Sequence, residues 1–268
     1  MPVLSDLEPR EVFAWFERLC AIPHGSHHAK AISDYLVAFA RERGLACRQD
    51  AANNVVIRKA ASAGYENAPV VMLQGHIDMV CEKDADCGKD METEGLDLFV
   101  DGDVIGARGT TLGGDDGIAV AMALAVLDAD DIPHGPLECV FTADEEVGMI
   151  GARALDASDL KAKYLINIDS EEEGVLTVSC AGACRTLCTL PVTRVPFDGE
   201  TLRVKISGLA GGHSGEEIHK GRANANLLLG RALDEMSRAG ALRLIRVSGG
   251  AKDNAIPREA EAVVRTGD

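Results

Sequence analysis

The sequence predicts an α/β fold in which a mostly parallel sheet is flanked by helices and is followed by the start of a second, α+β domain. Apolar runs of strand length alternate with helical patterns between residues 70 and 169, and this alternation is typical of parallel sheets. After about residue 185, the strands and a helix follow one another in a different pattern. We therefore expect two domains, residues 1–185 and 186–268.

The first 60 residues predict two helices and a hairpin. Apolar residues recur at helical spacing in two blocks between residues 8 and 43. The loop Ile22–His28 separates the blocks, and its three histidines lack a carboxylate. This favours a helix-entry loop over a metal site, with substrate contact as an alternative, and Ser26 is a possible cap of the second helix. Residues 47–49 and 55–59 indicate the two strands of a hairpin.

The remaining elements are predicted from similar patterns. In the first domain, strands are expected at residues 69–74, 137–141 and 164–168, and helices at 118–127 and 152–155. In the second domain, strands are expected at 202–206, 242–247 and 261–264, and a helix at 223–236. Residues 82–109 are polar and rich in Asp and Gly, which predicts a long loop, and long loops in compact domains are usually functional or mobile.

The composition disfavours several classes of partner. Lys and Arg total 27 against 43 Asp and Glu, a net charge of −16, so we expect neither nucleic acid nor an anionic membrane as a partner. The sequence contains no run of about 20 apolar residues, so no membrane span is predicted. The first residues do not resemble a signal peptide. The eight cysteines form no C-x-x-C pair, which indicates reduced thiols in a cytoplasmic protein. Cys180, Cys184 and Cys188 have a spacing that could bind metal, but their neighbours favour a strand.

Acidic and imidazole side chains stand at the ends of consecutive predicted elements. They are His76 and Asp78 after the first of the parallel strands, Asp115 and Asp116 at the start of the following helix, Asp144, Glu145 and Glu146 after the middle strand, and Asp169 after the next strand. Because the carboxyl ends of parallel strands share one edge, these groups are expected to converge. Clustered carboxylates repel one another, and their pKa values rise unless a cation neutralises them. The pattern therefore predicts a divalent metal centre.

Single positions allow simpler interpretations. Asp115 or Asp116 could cap the helix that follows, and His76 could be a hydrogen-bonded histidine of the core. The run Gly113–Gly117 could suggest a phosphate loop, but two acids would face the anion and no lysine follows. A serine nucleophile is disfavoured because no serine stands in a G-x-S-x-G context. A metal centre accounts for all of the positions together.

Five sequence blocks resemble, in order, the co-catalytic zinc peptidases of the M20 family. They are His76–Asp78, Gly113–Gly117, Glu145–Glu146, Asn167–Gly174 and Gly211–Asn226. The last two are similar to those of the bacterial aminoacyl-histidine dipeptidases of that family, also called cytosolic non-specific dipeptidases. The resemblance runs over essentially the whole chain and implies a zinc-peptidase catalytic domain followed by the start of an α+β lid domain.

The resemblance also implies two Zn²⁺ ions per complete active site, with other divalent metals possible. His76 and Asp169 would bind one ion and Glu146 the other, and Asp115 would bridge them. Asp78 would hold the His76 imidazole in the tautomer that binds metal. The peptide bond that follows Asp115 is expected to be cis.

The activity implied by the resemblance is a metal-dependent dipeptidase that hydrolyses Xaa-His and other short dipeptides. Glu145 would be the general base on the water between the metals. His213 and Asn254 of the lid domain would contact the substrate, with His213 stabilising the oxyanion. The complete enzyme is expected to be a homodimer. The alternatives are an N-acyl amino acid deacylase of the same metallohydrolase class and a non-catalytic metal-binding fragment.

One ligand of the family pattern is missing from the sequence. The family's second zinc takes a further histidine after the lid insertion, whereas this sequence reaches Asp268 within the lid domain. His134 precedes the middle strand and should lie at the opposite edge of the sheet, and His219 belongs to the lid block. We therefore expect the N-terminal part of a longer enzyme, which by itself is inactive and binds about one zinc.

Overall fold

The computed structural model describes residues 2–170, 172–180, 182, 184, 186–215, 217–252 and 254–267. The chain divides into two compact units, Met1–Ser179 and Cys180–Asp268. Two residues of the sequence blocks considered above, Glu171 and Glu216, lie outside the described residues.

The described residues of the first unit form four helices and seven strands. In chain order they are α1 (Arg10–Cys20), α2 (Lys30–Glu42), β1 (Ala46–Gln49), β2 (Val55–Lys59), β3 (Val71–His76), β4 (Leu98–Asp101), β5 (Val104–Ala107), α3 (Gly114–Asp128), β6 (Leu137–Thr142), α4 (Ile150–Ala154) and β7 (Tyr164–Asn167). The predicted α/β class is confirmed, and each predicted helix and strand of this unit is present.

Five of these strands form a mixed sheet in the order β1-β2-β6-β3-β7. Strand β3 is parallel to both of its neighbours, β6 and β7. The predicted hairpin extends the sheet, with β2 antiparallel to β6 and β1 antiparallel to β2. In the register of β3 and β6, His76 lies beside Thr142. The carboxyl ends of the three parallel strands therefore meet at one edge of the sheet.

The sheet separates a large core from a small one because successive side chains of a strand point to opposite faces. Val55 and Ile57 of β2 lie in the large core with Phe141 of β6 and apolar residues of α1, α2 and α3. Val56 and Val140 point to the other face, into a smaller cluster. All six residues of β6 are buried, which fits its place in the middle of the sheet.

Two segments differ from the expectation drawn from sequence. Residues 82–109, predicted as a loop, contain the antiparallel hairpin β4–β5. Its turn includes Gly102 with a φ of 59°, a conformation that glycine adopts at little cost. The polar residues around this turn favour a loop in the sequence and hide the short strands. Residues around Val178–Val192, expected to favour a strand, form none within the part of the chain that the structure describes.

The second unit has the predicted α+β character. Its elements are β8 (Glu200–Ile206), a single 3₁₀ turn (Ile218–Lys220), α5 (Ala225–Ala239), β9 (Leu242–Gly249) and β10 (Ala260–Thr266). The strands form an antiparallel sheet in the order β8-β10-β9. Leu229 of α5 packs on Ala262 and Val264 of β10. Asn224 caps α5, because its side-chain oxygen accepts hydrogen bonds from the backbone N–H groups of Asn226 and Leu227.

None of the helices among the described residues combines the length and the apolar character needed to cross a membrane.

The eight cysteines are free thiols, as expected, and two of them, Cys20 and Cys139, are buried. Burial raises the pKa of both thiols from 9.0 to about 12. The reactive thiolate of these two is therefore much scarcer than that of an exposed cysteine. In a thiol-labelling time course of the folded protein, we expect Cys20 and Cys139 to react last, and to join the exposed Cys180 in the fast phase after urea is added. Fast labelling of Cys139 in the native protein would contradict this packing.

Candidate metal centre

His76 ends strand β3 at the edge where the parallel strands meet, and it is fully buried. Its Nδ1 lies 3.0 Å from the backbone oxygen of Asp78 and 3.4 Å from the Asp78 carboxylate. Its Nε2 lies 2.8 Å from Oδ1 of Asp115. A hydrogen bond from Nδ1 to the Asp78 carbonyl leaves Nε2 as the nitrogen available to a metal.

The start of α3 places two aspartates beside this histidine. The backbone of Asp115 and Asp116 is not helical, and the peptide bond between them is cis, as expected. Oδ2 of Asp116 accepts a hydrogen bond from the backbone N–H of His76 at 3.2 Å. A Cβ on Gly75 would lie 2.7 Å from the same oxygen. The glycine therefore lets the helix start approach the end of the strand.

Two groups of three side chains could each hold a metal ion. One is His76, Asp115 and Glu146, and the other is His76, Asp116 and Asp169, with the ligand atoms of each group within 4.8 Å of one another. The four predicted ligands therefore come together. Their grouping differs from the expectation, because Asp116 stands beside Asp169 where we expected Asp115. Asp116 is among the acids expected to converge at this edge, but the family resemblance implied a ligand role for the neighbouring Asp115 alone.

The turn after β6 carries the two glutamates. Asp144 has a φ of 55°, and the backbone N–H of Glu145 donates to Oδ1 of Asp78 at 3.0 Å. The carbonyl of Glu145 in turn accepts from the N–H groups of Gly148 and Met149, both at 2.8 Å. The backbone of the turn is therefore held on both sides of Glu145.

The electrostatics of the cluster favour a bound cation. Burial, together with nearby carboxylates, raises the pKa values of Glu145 and Glu146, and burial raises that of Asp116 to about 7. Burial acts to lower the pKa of His76, but hydrogen bonds to Asp78 and Asp115 outweigh it and raise the value to about 10. One imidazole with several carboxylates is a donor set that suits zinc and similar divalent ions. The residues present therefore fit the expected metal.

The loop Ile22–His28 lies next to this cluster, and Ser26 has a different role from the one expected. Helix α2 starts at Lys30 without a side-chain cap. The Ser26 hydroxyl instead donates to Oδ2 of Asp78 at 2.8 Å. Because these residues are 52 positions apart in sequence, no local pattern could have indicated the contact. The buried His24 has its Nδ1 2.5 Å from the carbonyl of Ile22 and belongs to neither metal group.

The two predicted substrate contacts are neighbours in the second unit. His213 pairs with Ala255 in an isolated β-bridge, and the carbonyl of Asn254 accepts from the backbone N–H of Ser214 at 2.8 Å. His134 lies before β6, at the opposite end of that strand from Thr142, and its Nδ1 is 2.7 Å from the Gly135 carbonyl.

Asn54 stabilises the site because its side chain connects the turn after β6 to α4 through hydrogen bonds. Its buried side chain accepts from the N–H of Ala143 at 3.0 Å and donates to the carbonyl of Gly151 at 2.9 Å. Asn54→Ala leaves both backbone groups without this partner, so we expect the free energy of unfolding to fall by about 3 kcal/mol. Gln49→Ala removes one exposed and one partly buried hydrogen bond from the same hairpin to α2; it serves as the control in urea titrations and should cost no more than about 1.5 kcal/mol. Equal losses would contradict the role of Asn54.

Comparisons with known proteins agree on one group of enzymes. Residues 72–256 match the sequence profile described as Peptidase family M20/M25/M40. Over 266 residues, the chain is 45% identical to the cytosol non-specific dipeptidase of Escherichia coli (strain K12), covering 98% of this chain and 55% of that protein. It thus spans about half the length of this relative.

Solved structures show the same similarity. The crystal structure of aminoacylhistidine dipeptidase from Vibrio alginolyticus matches with a TM-score of 0.72 at 40% identity, over 98% of this chain and 54% of that one. A tripeptidase from Staphylococcus aureus subsp. aureus Mu50 shares the fold, with a TM-score of 0.54 at 21% identity, over 98% of this chain and 67% of that one.

Proposed function

Because the chain belongs to peptidase family M20/M25/M40, we propose that its metal-binding residues belong to the active site of a metal-dependent dipeptidase acting on Xaa-His and other short dipeptides. The proposal is supported by the convergence of His76, Asp115, Asp116, Glu146 and Asp169 into two overlapping ligand groups. It is also supported by the similarity of the chain to the cytosol non-specific dipeptidase of Escherichia coli and to the aminoacylhistidine dipeptidase of Vibrio alginolyticus.

We infer a site for two divalent ions, zinc first among them, in the complete enzyme. His76 and the carboxylates of both ligand groups would hold the ions. When bound, such ions lower the pKa of water and polarise the scissile carbonyl. Asp78 keeps Nε2 of His76 directed at the ligand cluster, because Nδ1 faces the Asp78 carbonyl.

Glu145 is the proposed general base. Its side chain is not needed to complete either ligand group, and its backbone is fixed by Asp78. Its carboxylate accepts a proton from the attacking water as the new carbon–oxygen bond forms. It then delivers that proton to the amine as the carbon–nitrogen bond breaks. In the second unit, His213 and Asn254 are proposed to contact the substrate.

The complete enzyme is proposed to be a homodimer in the cytosol. This compartment keeps cysteines reduced, and the excess of acidic residues favours solubility there. The test of function is hydrolysis of β-alanyl-histidine compared with an N-acetyl amino acid by the metal-loaded full-length enzyme. We expect turnover of the dipeptide. Turnover of the acetylated substrate alone would replace the dipeptidase with a deacylase, and metal binding without any turnover would favour a non-catalytic role.

A further inference from the structure

The loop Ile22–His28, between α1 and α2, is attached to the segment that follows His76. Gly25 and Met79 form a parallel β-bridge. The N–H of Ser26 donates to the carbonyl of Met79, and the N–H of Met79 donates to the carbonyl of His24, both at 3.2 Å. A Cβ on Gly25 would lie 2.6 Å from Sγ of Cys81. The glycine therefore permits this close approach of the loop to the segment that follows β3.

The same loop also holds the turn that carries Glu145. The backbone N–H of His27 donates to Oδ1 of Asp144 at 2.6 Å, and its imidazole Nδ1 lies 3.8 Å from Oδ2. Both residues have left-handed backbone, with φ values of 68° and 55°. Such conformations are uncommon outside glycine and persist where the surroundings fix them, often at functional sites. Here two of them face each other directly beside the proposed base.

Asp78 connects the loop Ile22–His28 to Glu145, the proposed general base. Its side chain is fully buried, and each carboxylate oxygen has a separate partner. Oδ2 accepts from the Ser26 hydroxyl at 2.8 Å, and Oδ1 accepts from the backbone N–H of Glu145 at 3.0 Å. The orientation that Ser26 imposes on the carboxylate therefore determines where the other oxygen holds Glu145.

We propose that Ser26 and Asp144 are positioning residues for Glu145. This proposal rests on the proposed function, in which Glu145 is the general base. The loop acts at two points, through Ser26 and Asp78 on one side and through His27 and Asp144 on the other. Neither Ser26 nor Asp144 belongs to a ligand group, so their contribution is to the placement of the base and not to the binding of the metal itself.

The test compares Ser26→Ala with Ser26→Thr, which keeps the hydroxyl, in the metal-loaded full-length enzyme. We expect Ser26→Ala to lower kcat about tenfold, the lower end of the usual effect of such outer contacts, with KM within twofold. Ser26→Thr should restore at least half of the activity.

A second pair of variants, Asp144→Gly and Asp144→Asn, separates the effect of the side-chain hydrogen-bond acceptor from that of the backbone conformation, because glycine and asparagine both tolerate positive φ. The asparagine should retain activity and the glycine should lose about as much as Ser26→Ala.

Hydrogen exchange of the Glu145 amide, followed by NMR, gives a readout that does not depend on turnover. We expect faster exchange in Ser26→Ala and Asp144→Gly, and exchange as in the parent protein in the two conservative variants. If kcat and exchange in Ser26→Ala both equal those of the parent protein, the proposal is wrong. If the exchange pattern holds but the parent protein hydrolyses no dipeptide, the positioning contact stands and the proposed function fails.

Discussion

Glu145→Gln is expected to lower kcat for dipeptides by about 10²- to 10⁴-fold or more, which abolishes useful turnover, while both metal ions stay bound. Removal of a general base costs this much in many enzymes. Glutamine has nearly the same shape, and the hydrogen bond from position 145 to Asp78 is made by the backbone N–H, so the turn is kept. Glu146→Ala should instead lose metal as well as activity, because Glu146 completes one ligand group.

The measurement is metal content after exhaustive dialysis, alongside kcat, for both variants of the full-length enzyme. Val147→Ala, an exposed neighbour in the same turn, is the matched control and should behave like the parent protein. If Glu145→Gln and Glu146→Ala lose metal equally, the separation of base from ligand is wrong.

The 268-residue chain is expected to bind about one Zn²⁺ weakly, and His76→Ala is expected to weaken that binding further, by about 100-fold or more. Both ligand groups among the described residues use the same imidazole. His76 cannot bind two ions through different nitrogens, because Nδ1 is occupied by the Asp78 carbonyl. Catalytic zinc sites normally have three protein ligands, so the ion that takes His76 leaves the other site with carboxylates alone.

Equilibrium dialysis with zinc measures this stoichiometry, and β-alanyl-histidine hydrolysis by the same samples is expected to be negligible. His134→Ala is the control, since that histidine lies at the opposite end of β6 and should not change zinc binding. Two tightly bound ions with dipeptidase activity would contradict the prediction. Loss of one of them in His134→Ala would then identify His134 as a metal ligand.

The sequence was sufficient for the architecture because the strong signals are local. The apolar run Leu137–Phe141 and the amphipathic helices α1 and α2 show the patterns that burial of one face or of a whole strand requires. The hairpin β4–β5 was missed because its strands are partly exposed and polar residues surround them. Its turn at Gly102 was the usable signal.

The site was predictable only in part, for a related reason. His76 and Asp169 stand at strand ends, so topology alone brings them together. The roles of Asp116 and Ser26 depend on contacts between segments that are far apart in sequence. Nothing in the residues around Ser26 distinguishes a helix cap from a hydrogen-bond donor to Asp78.

The pairing of β3 with two later strands has a consequence for how the protein folds. Val71 lies beside both Leu137 and Tyr164, so two long stretches of chain must be closed before the parallel strands can form. Such non-local pairing makes folding slow and leaves apolar strands exposed in the meantime. The ligand groups exist only after this step, because their members are brought in by β3, α3, β6 and β7. Metal can therefore select and stabilise the folded chain, but it has no assembled site with which to guide the early stages of folding.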